Sequence, residues 1–102
     1  MAGGGSFASD QKFTKATADG QLKTASGGST NIGPCRITYI QATGFTNIKL
    51  YDAATASGGI IFESTFGSEG LDMFIPGSGI RFRNTVFIDV TGSGSVTIGY
   101  TG

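Results

Sequence analysis

The side chains with chemistry to offer in this 102-residue chain are a few serines, lysines and carboxylates and one cysteine. Ser64, Ser68 and Ser78 become nucleophiles only beside a base. The chain contains no histidine, which removes the commonest general base and the commonest metal ligand. Lys12, Lys15, Lys23 and Lys49 could in principle activate a serine, but none sits in a matching motif. Cys35 opens an apolar strand pattern on its inward face, where an unpaired cysteine acts as a small apolar residue. Glu63, Glu69, Asp72 and Asp89 could supply the carboxylate pair of a glycosidase. Glu63 and Asp72 fall on adjacent predicted strands, both on outward faces and near Arg81 and Arg83, which reads more simply as solvated polar surface. No loop spaces several acids as calcium ligands. "GGGS" and "GSGSVTIG" lack the lysine and the strand-to-helix junction of a phosphate cradle. The expectation is a protein that is not an enzyme, with no catalytic residue, no cofactor and no metal.

Composition narrows the remaining classes. Seven basic and seven acidic residues give zero net charge, so nothing steers the whole chain to nucleic acid or to an anionic membrane. No apolar run has the length of a bilayer span. The opening "MAGGGSFASDQK" lacks the apolar segment of a signal peptide. A single cysteine allows no internal disulfide. The 18 glycines fall between apolar runs, where turns belong.

The elements follow from period two. Residues 1–18 read as a glycine-rich arm with two isolated aromatics, Phe7 and Phe13, lying either on a neighbouring molecule or on its own domain. Residues 19–102 read as a single domain. Alternation places Cys35, Ile37 and Tyr39 on one face, then Ile48 with Leu50, and Ile60 with Phe62 and Phe66. It likewise groups Leu71 with Met73 and Ile75, Ile80 with Phe82, Val86 with Ile88 and Val90, and Val96 with Ile98 and Tyr100. About eight short strands separated by glycine, serine or asparagine turns predict an all-β fold, a small antiparallel β-sandwich. Pro76 ends the "LDMFI" strand. In "IKLYDAATASGG", Asp52 starts a turn by bonding the backbone ahead of it, and Gly58 and Gly59 reverse the chain.

Ile40, Tyr51, Ile61, Phe74 and Phe87 fall on faces that the alternation assigns to the exterior. Several such residues on one small domain predict a shared buried surface, because large apolar patches are rare on monomers; a strand buried on both faces is the alternative. "RFR" adds Arg81 and Arg83 as a small basic stripe facing a protein partner or solvent. The predicted interface is therefore Phe7, Phe13, Ile40, Tyr51, Ile61, Phe74, Phe87, Arg81 and Arg83.

"GPCRITYIQAT", "IKLYDAATASGGIIFE" and "IPGSGIRFRNTVFIDVTGSGSVTIGY", spanning Gly33 to Tyr100, resemble a class of small structural proteins of tailed bacteriophages. These share a Gly-Pro strand start, an "LYD" strand with a small-residue turn, a "GIRF-N" segment and a closing "V-IDVTG…V-I-Y" hairpin. The resemblance implies a jelly-roll-like sandwich that belongs to the virion and is made in the host cytoplasm. It implies a capsid decoration or cement protein that binds the major capsid protein through the arm and a sandwich edge, commonly as a trimer. A tail, fibre or head-spike component is the alternative within the virion. A carbohydrate-binding module, with Tyr39, Tyr51 or Tyr100 stacking on a sugar ring, is the alternative outside it; the lack of tryptophan weighs against it.

Overall fold

The computed structural model describes residues 11–102. The described residues form seven strands: β1 (Lys12–Ala16), β2 (Gly20–Gln21), β3 (Cys35–Tyr51), β4 (Ile60–Thr65), β5 (Leu71–Phe74), β6 (Ile80–Phe82) and β7 (Phe87–Thr101). All pair antiparallel within one sheet, and the described residues contain no helix. The fold is all-β, as the alternation predicts.

Two long strands organise everything else. β3 runs for 17 residues and β7 for 15. The sequence pattern divides each of them in two, reading Gly44 and the Gly92–Gly94 region as turns. The chain instead continues through those glycines, because they permit a close backbone crossing. Gly44 has a φ of +87°, and a Cβ on it would run into the Ser93 carbonyl oxygen and lie 2.7 Å from the Gly94 Cα. A Cβ on Gly94 would run into the Thr43 carbonyl oxygen and lie 2.8 Å from the Gly44 Cα. Only glycine fits on either side of this crossing.

The crossing divides the sheet into two lobes. In the first, β1, β5 and β6 flank Cys35–Thr43 of β3 and Ser95–Thr101 of β7. In the second, β2 and β4 flank Phe45–Tyr51 and Phe87–Gly92. The inward side chains of both lobes meet in one core that includes Ile37, Ile40, Ile98 and Phe82 from the first and Ile48, Leu50 and Ile88 from the second. Leu22 and Ile32, in the segment between β2 and β3, join it.

Register shifts explain where the simple alternation goes astray. The β3–β7 pairing slips between Ile37 and Tyr39, between Thr43 and Phe45, and between Phe45 and Asn47. The extra residue lies in β3 at the first and third slips and in β7 at the second, and the inward side chains of β3 change parity across each. The inward set therefore runs Cys35, Ile37, then Ile40, Ala42, then Phe45, then Ile48, Leu50. Ile40, predicted outside, is fully buried, and Tyr39, predicted inside, is turned outward. In β7 Ile88, Val96, Ile98 and Tyr100 are buried, and the alternation lapses between them at the exposed Gly92.

The N-terminal boundary also moves. Lys12–Ala16, predicted to belong to an arm, is a strand paired with Val96–Tyr100, and among the described residues it stands at the sheet's edge. Its pattern carries just one buried side chain, Thr14, which gives little apolar periodicity to read. Phe7 and the rest of residues 1–10 lie outside the described residues.

Candidate functional site

The predicted acid pair does not assemble. β4 and β5 each pair with β3 and not with one another: Glu63 stands opposite Lys49, and Asp72 opposite Gln41. The two carboxylates belong to different lobes. Among the described residues no group of three or more His, Cys, Asp or Glu side chains converges on a point. Cys35 is buried, and burial first, then the charge of Asp52, pushes its thiol up to about 11. At neutral pH the sulfur is held as a thiol, a poor nucleophile.

Asp52 is the most heavily bonded acid, and its partners are not those expected from a local turn. Its Oδ2 accepts from the Arg83 backbone N–H at 2.8 Å, and its Oδ1 accepts from those of Asn84 at 2.9 Å and Thr85 at 3.3 Å. It ties the end of β3 to the loop between β6 and β7. Partial burial opposes the charge, but the backbone donors outweigh it and hold the carboxyl below its ordinary value of 3.8. The folded state therefore binds this proton more weakly than the unfolded chain. The resulting stabilisation is complete above the ordinary value and is lost as pH falls through the lower folded-state value. Asp52→Ala should destabilise the protein by about 1–2 kcal/mol. Urea unfolding of the variant near neutral pH and near about pH 3 should show a shallower acid decline than the native chain.

The predicted surface residues separate into groups. Tyr51 lies on the outer side of the second lobe, but its ring packs edge-on to Phe87 at 6.4 Å and only 8% of the residue is exposed. With Ile40 in the core, neither residue is available to a partner. Phe87 is half-buried in that contact, and Arg83 is exposed on the loop that Asp52 holds. Ile61 is 45% exposed on β4, beside an exposed Ile60.

Phe13, Phe74 and Arg81 come together on the outer face of the first lobe. Strand register places Phe13 opposite Gly99, Gly99 opposite Tyr39, and Tyr39 opposite Phe74. These four residues make one row across four strands. Phe13 is 57% and Phe74 72% exposed. Gly99 is the gap that lets the row close: a Cβ there would come within 2.9 Å of the Tyr39 Cβ and the Gln11 Nε2, and 3.0 Å of the Phe13 ring. Across it, Phe13 and Tyr39 meet edge-to-face at 6.4 Å. The Tyr39 hydroxyl donates to Asp72 Oδ1 at 2.7 Å, and this bond, with smaller contributions from burial and the Asp72 charge, raises the phenol's proton affinity.

The aromatic row has polar rows on both sides. Two residues further along the strands, Lys15, Thr97, Gln41 and Asp72 stand in register. On the other side Arg36 lies between Thr101 and Arg81. A shallow cavity opens beside each polar row, one lined by Lys15, Gln41, Thr43 and Ser95 and the other by Pro34, Arg36, Arg81 and Thr101. Tyr39, Arg36 and Gln41 were not among the predicted interface residues, and apart from its inward assignment Tyr39 was named only as a ring that could stack on a sugar. The bulge at Thr38 decides that Tyr39 faces out, and no composition signal marks it. Comparison with known proteins adds no relative to this picture: no family model, curated protein or solved structure matches the chain.

Proposed function

We propose that this protein is a structural component of a tailed-bacteriophage virion, a capsid decoration or cement protein with the major capsid protein as partner. The jelly-roll-like sandwich and the trimeric association implied by the sequence resemblance are part of this reading. The observation that carries it is the free edge of β4. Among the described residues Ile60–Thr65 pairs with β3 alone, and its adjacent isoleucines both stand well exposed. Natural edge strands are usually blunted by charge, proline or a bulge; β4 carries Glu63 and a bulge at Ile61, where Leu50–Tyr51 faces Ile60–Phe62, and that bulge leaves two neighbouring isoleucines as apolar anchors for a partner. Many copies on one shell would turn weak edge contacts into firm attachment.

The proposed role for an arm now falls to residues 1–10, since Lys12–Ala16 is already engaged with β7. Quantitative mass spectrometry of purified particles of the encoding phage should find the chain at a copy number matching the shell lattice. Ile60→Lys/Ile61→Lys should fold normally and be lost from the particles. A copy number matching a tail assembly would favour the tail, fibre or head-spike reading. Absence from particles, or full attachment of the double variant, would overturn the proposal.

A further inference from the structure

The outer face of the first lobe has a composition unlike the chain as a whole. Among the described residues, Arg36, Arg81 and Lys15 stand on it with a single acid, Asp72, in a protein whose net charge is zero. Glu69, on the turn before β5, accepts from the Gly67 N–H of its own loop. Arg36 and Arg81 face each other directly across β3 and β6. Like charges in that position repel, and among the described residues neither has an ion-pair partner. A folded domain keeps such a pair at some cost to itself, and an anionic group between the two guanidinium forks would remove that cost.

The apolar part of the face is a line, not a disc. The row of Phe13, Tyr39 and Phe74 is one residue wide and crosses four strands, about 14 Å at the usual strand spacing. Polar rows border it on both sides. A protein interface gathers its anchors into a desolvated centre with a polar rim; a stripe between hydrophilic borders fits a narrow chain. That chain must present apolar patches to the rings, hydrogen-bonding groups to Gln41, Thr97 and Asp72, and negative charge to the arginines. A nucleic acid strand meets part of this description as well, and competition by an oligonucleotide separates the two.

We propose that this face binds an acidic polysaccharide, a chain of sugar rings carrying carboxylates. The C–H faces of the rings pack on Phe74, Tyr39 and Phe13, the hydroxyls exchange hydrogen bonds with the Gln41 row, and the carboxylates seat on Arg36 and Arg81. Gly99, buried beneath them, lets the Phe13 and Tyr39 rings meet in one row. The inference rests on the face alone and does not depend on the virion reading.

The test is affinity electrophoresis of the full chain through gels containing polygalacturonate, alginate or hyaluronate, with dextran as the neutral control and a thymidine oligonucleotide as a competing ligand. At least one polyuronate should retard the protein where dextran does not, with an effect that weakens as salt rises. Phe74→Ser and Arg36→Gln/Arg81→Gln should each weaken that binding by about tenfold or more, as expected for lost stacking or charge-assisted contacts. Ile61→Ser, on the other lobe, should bind as the native chain does. Melting curves keep the variants interpretable; Phe74 is exposed enough that its replacement leaves the fold intact. Retardation by none of the three polyuronates, equal retardation by dextran, unchanged binding by the two face variants, or tighter binding of the oligonucleotide would each overturn the proposal.

Discussion

Gly94→Ala should abolish the folded state at physiological temperature or bring it close to unfolding. The new methyl group would collide with the Thr43 carbonyl oxygen, the Gly44 Cα and the Phe45 backbone nitrogen, the last two at 2.8 and 2.9 Å. All three obstacles are backbone, so no rotamer change can relieve the clash. The two long strands would have to part at the point where both lobes are joined. We expect a loss of more than about 3 kcal/mol, in the range reserved for severe overpacking and strain, against a total of about 5–15 kcal/mol for a domain. Gly33→Ala is the matched control. It has open space around its Cβ and no positive φ, and its urea midpoint should stay near that of the native chain. A Gly94→Ala protein with a near-native midpoint would mean that the crossing is looser than described.

Phe45→Ala should be nearly as damaging for a different reason. Phe45 lies between two register shifts in β3 and is among the largest fully buried side chains. The slips on either side turn this one residue inward while Gly44 and Thr46 stay exposed. Its ring therefore fills the core at the junction of the lobes with no neighbour in its own strand to take over. Removing it should cost about 3–5 kcal/mol, the transfer term plus the cavity left behind. Phe45→Leu should recover more than half of that loss. Phe74→Ala removes the same side chain from an exposed site and should move the urea midpoint little, which separates loss of packing from loss of an aromatic ring as such.

The all-β class and most of the core were legible from the sequence because alternation is a local signal. Ile37, Ile48, Leu50, Phe82, Ile88 and Ile98 were all assigned inward and are all buried. What could not be read locally is set by pairing between distant segments. The exchange of Tyr39 and Ile40 between faces depends on one extra residue in β3 relative to β7, and the run "CRITYI" gives no sign of where that residue sits. The glycines at positions 44, 92 and 94 resemble turn glycines, because φ freedom and backbone clearance look alike in composition. Asp52 was recognised as a backbone acceptor, but its donors lie more than thirty residues away. Likewise Phe13 and Phe74 could each be marked as exposed aromatics. That they line up with Tyr39 is a property of three separate strand registers.

The same pairing pattern fixes when the fold can form. β4, β5 and β6 hydrogen-bond to β3, but β1 and β2 have β7 as their partner. During synthesis the first two strands emerge long before the one they need, and β3 likewise waits with one side of its backbone unpaired. Until residues 87–101 leave the ribosome, the growing chain can assemble no more than hairpin fragments around β3, with Ile48 and Leu50 still open to water. Productive folding is therefore a late and nearly all-at-once event, governed by closure of long loops, and the unfinished chain is the form most exposed to aggregation.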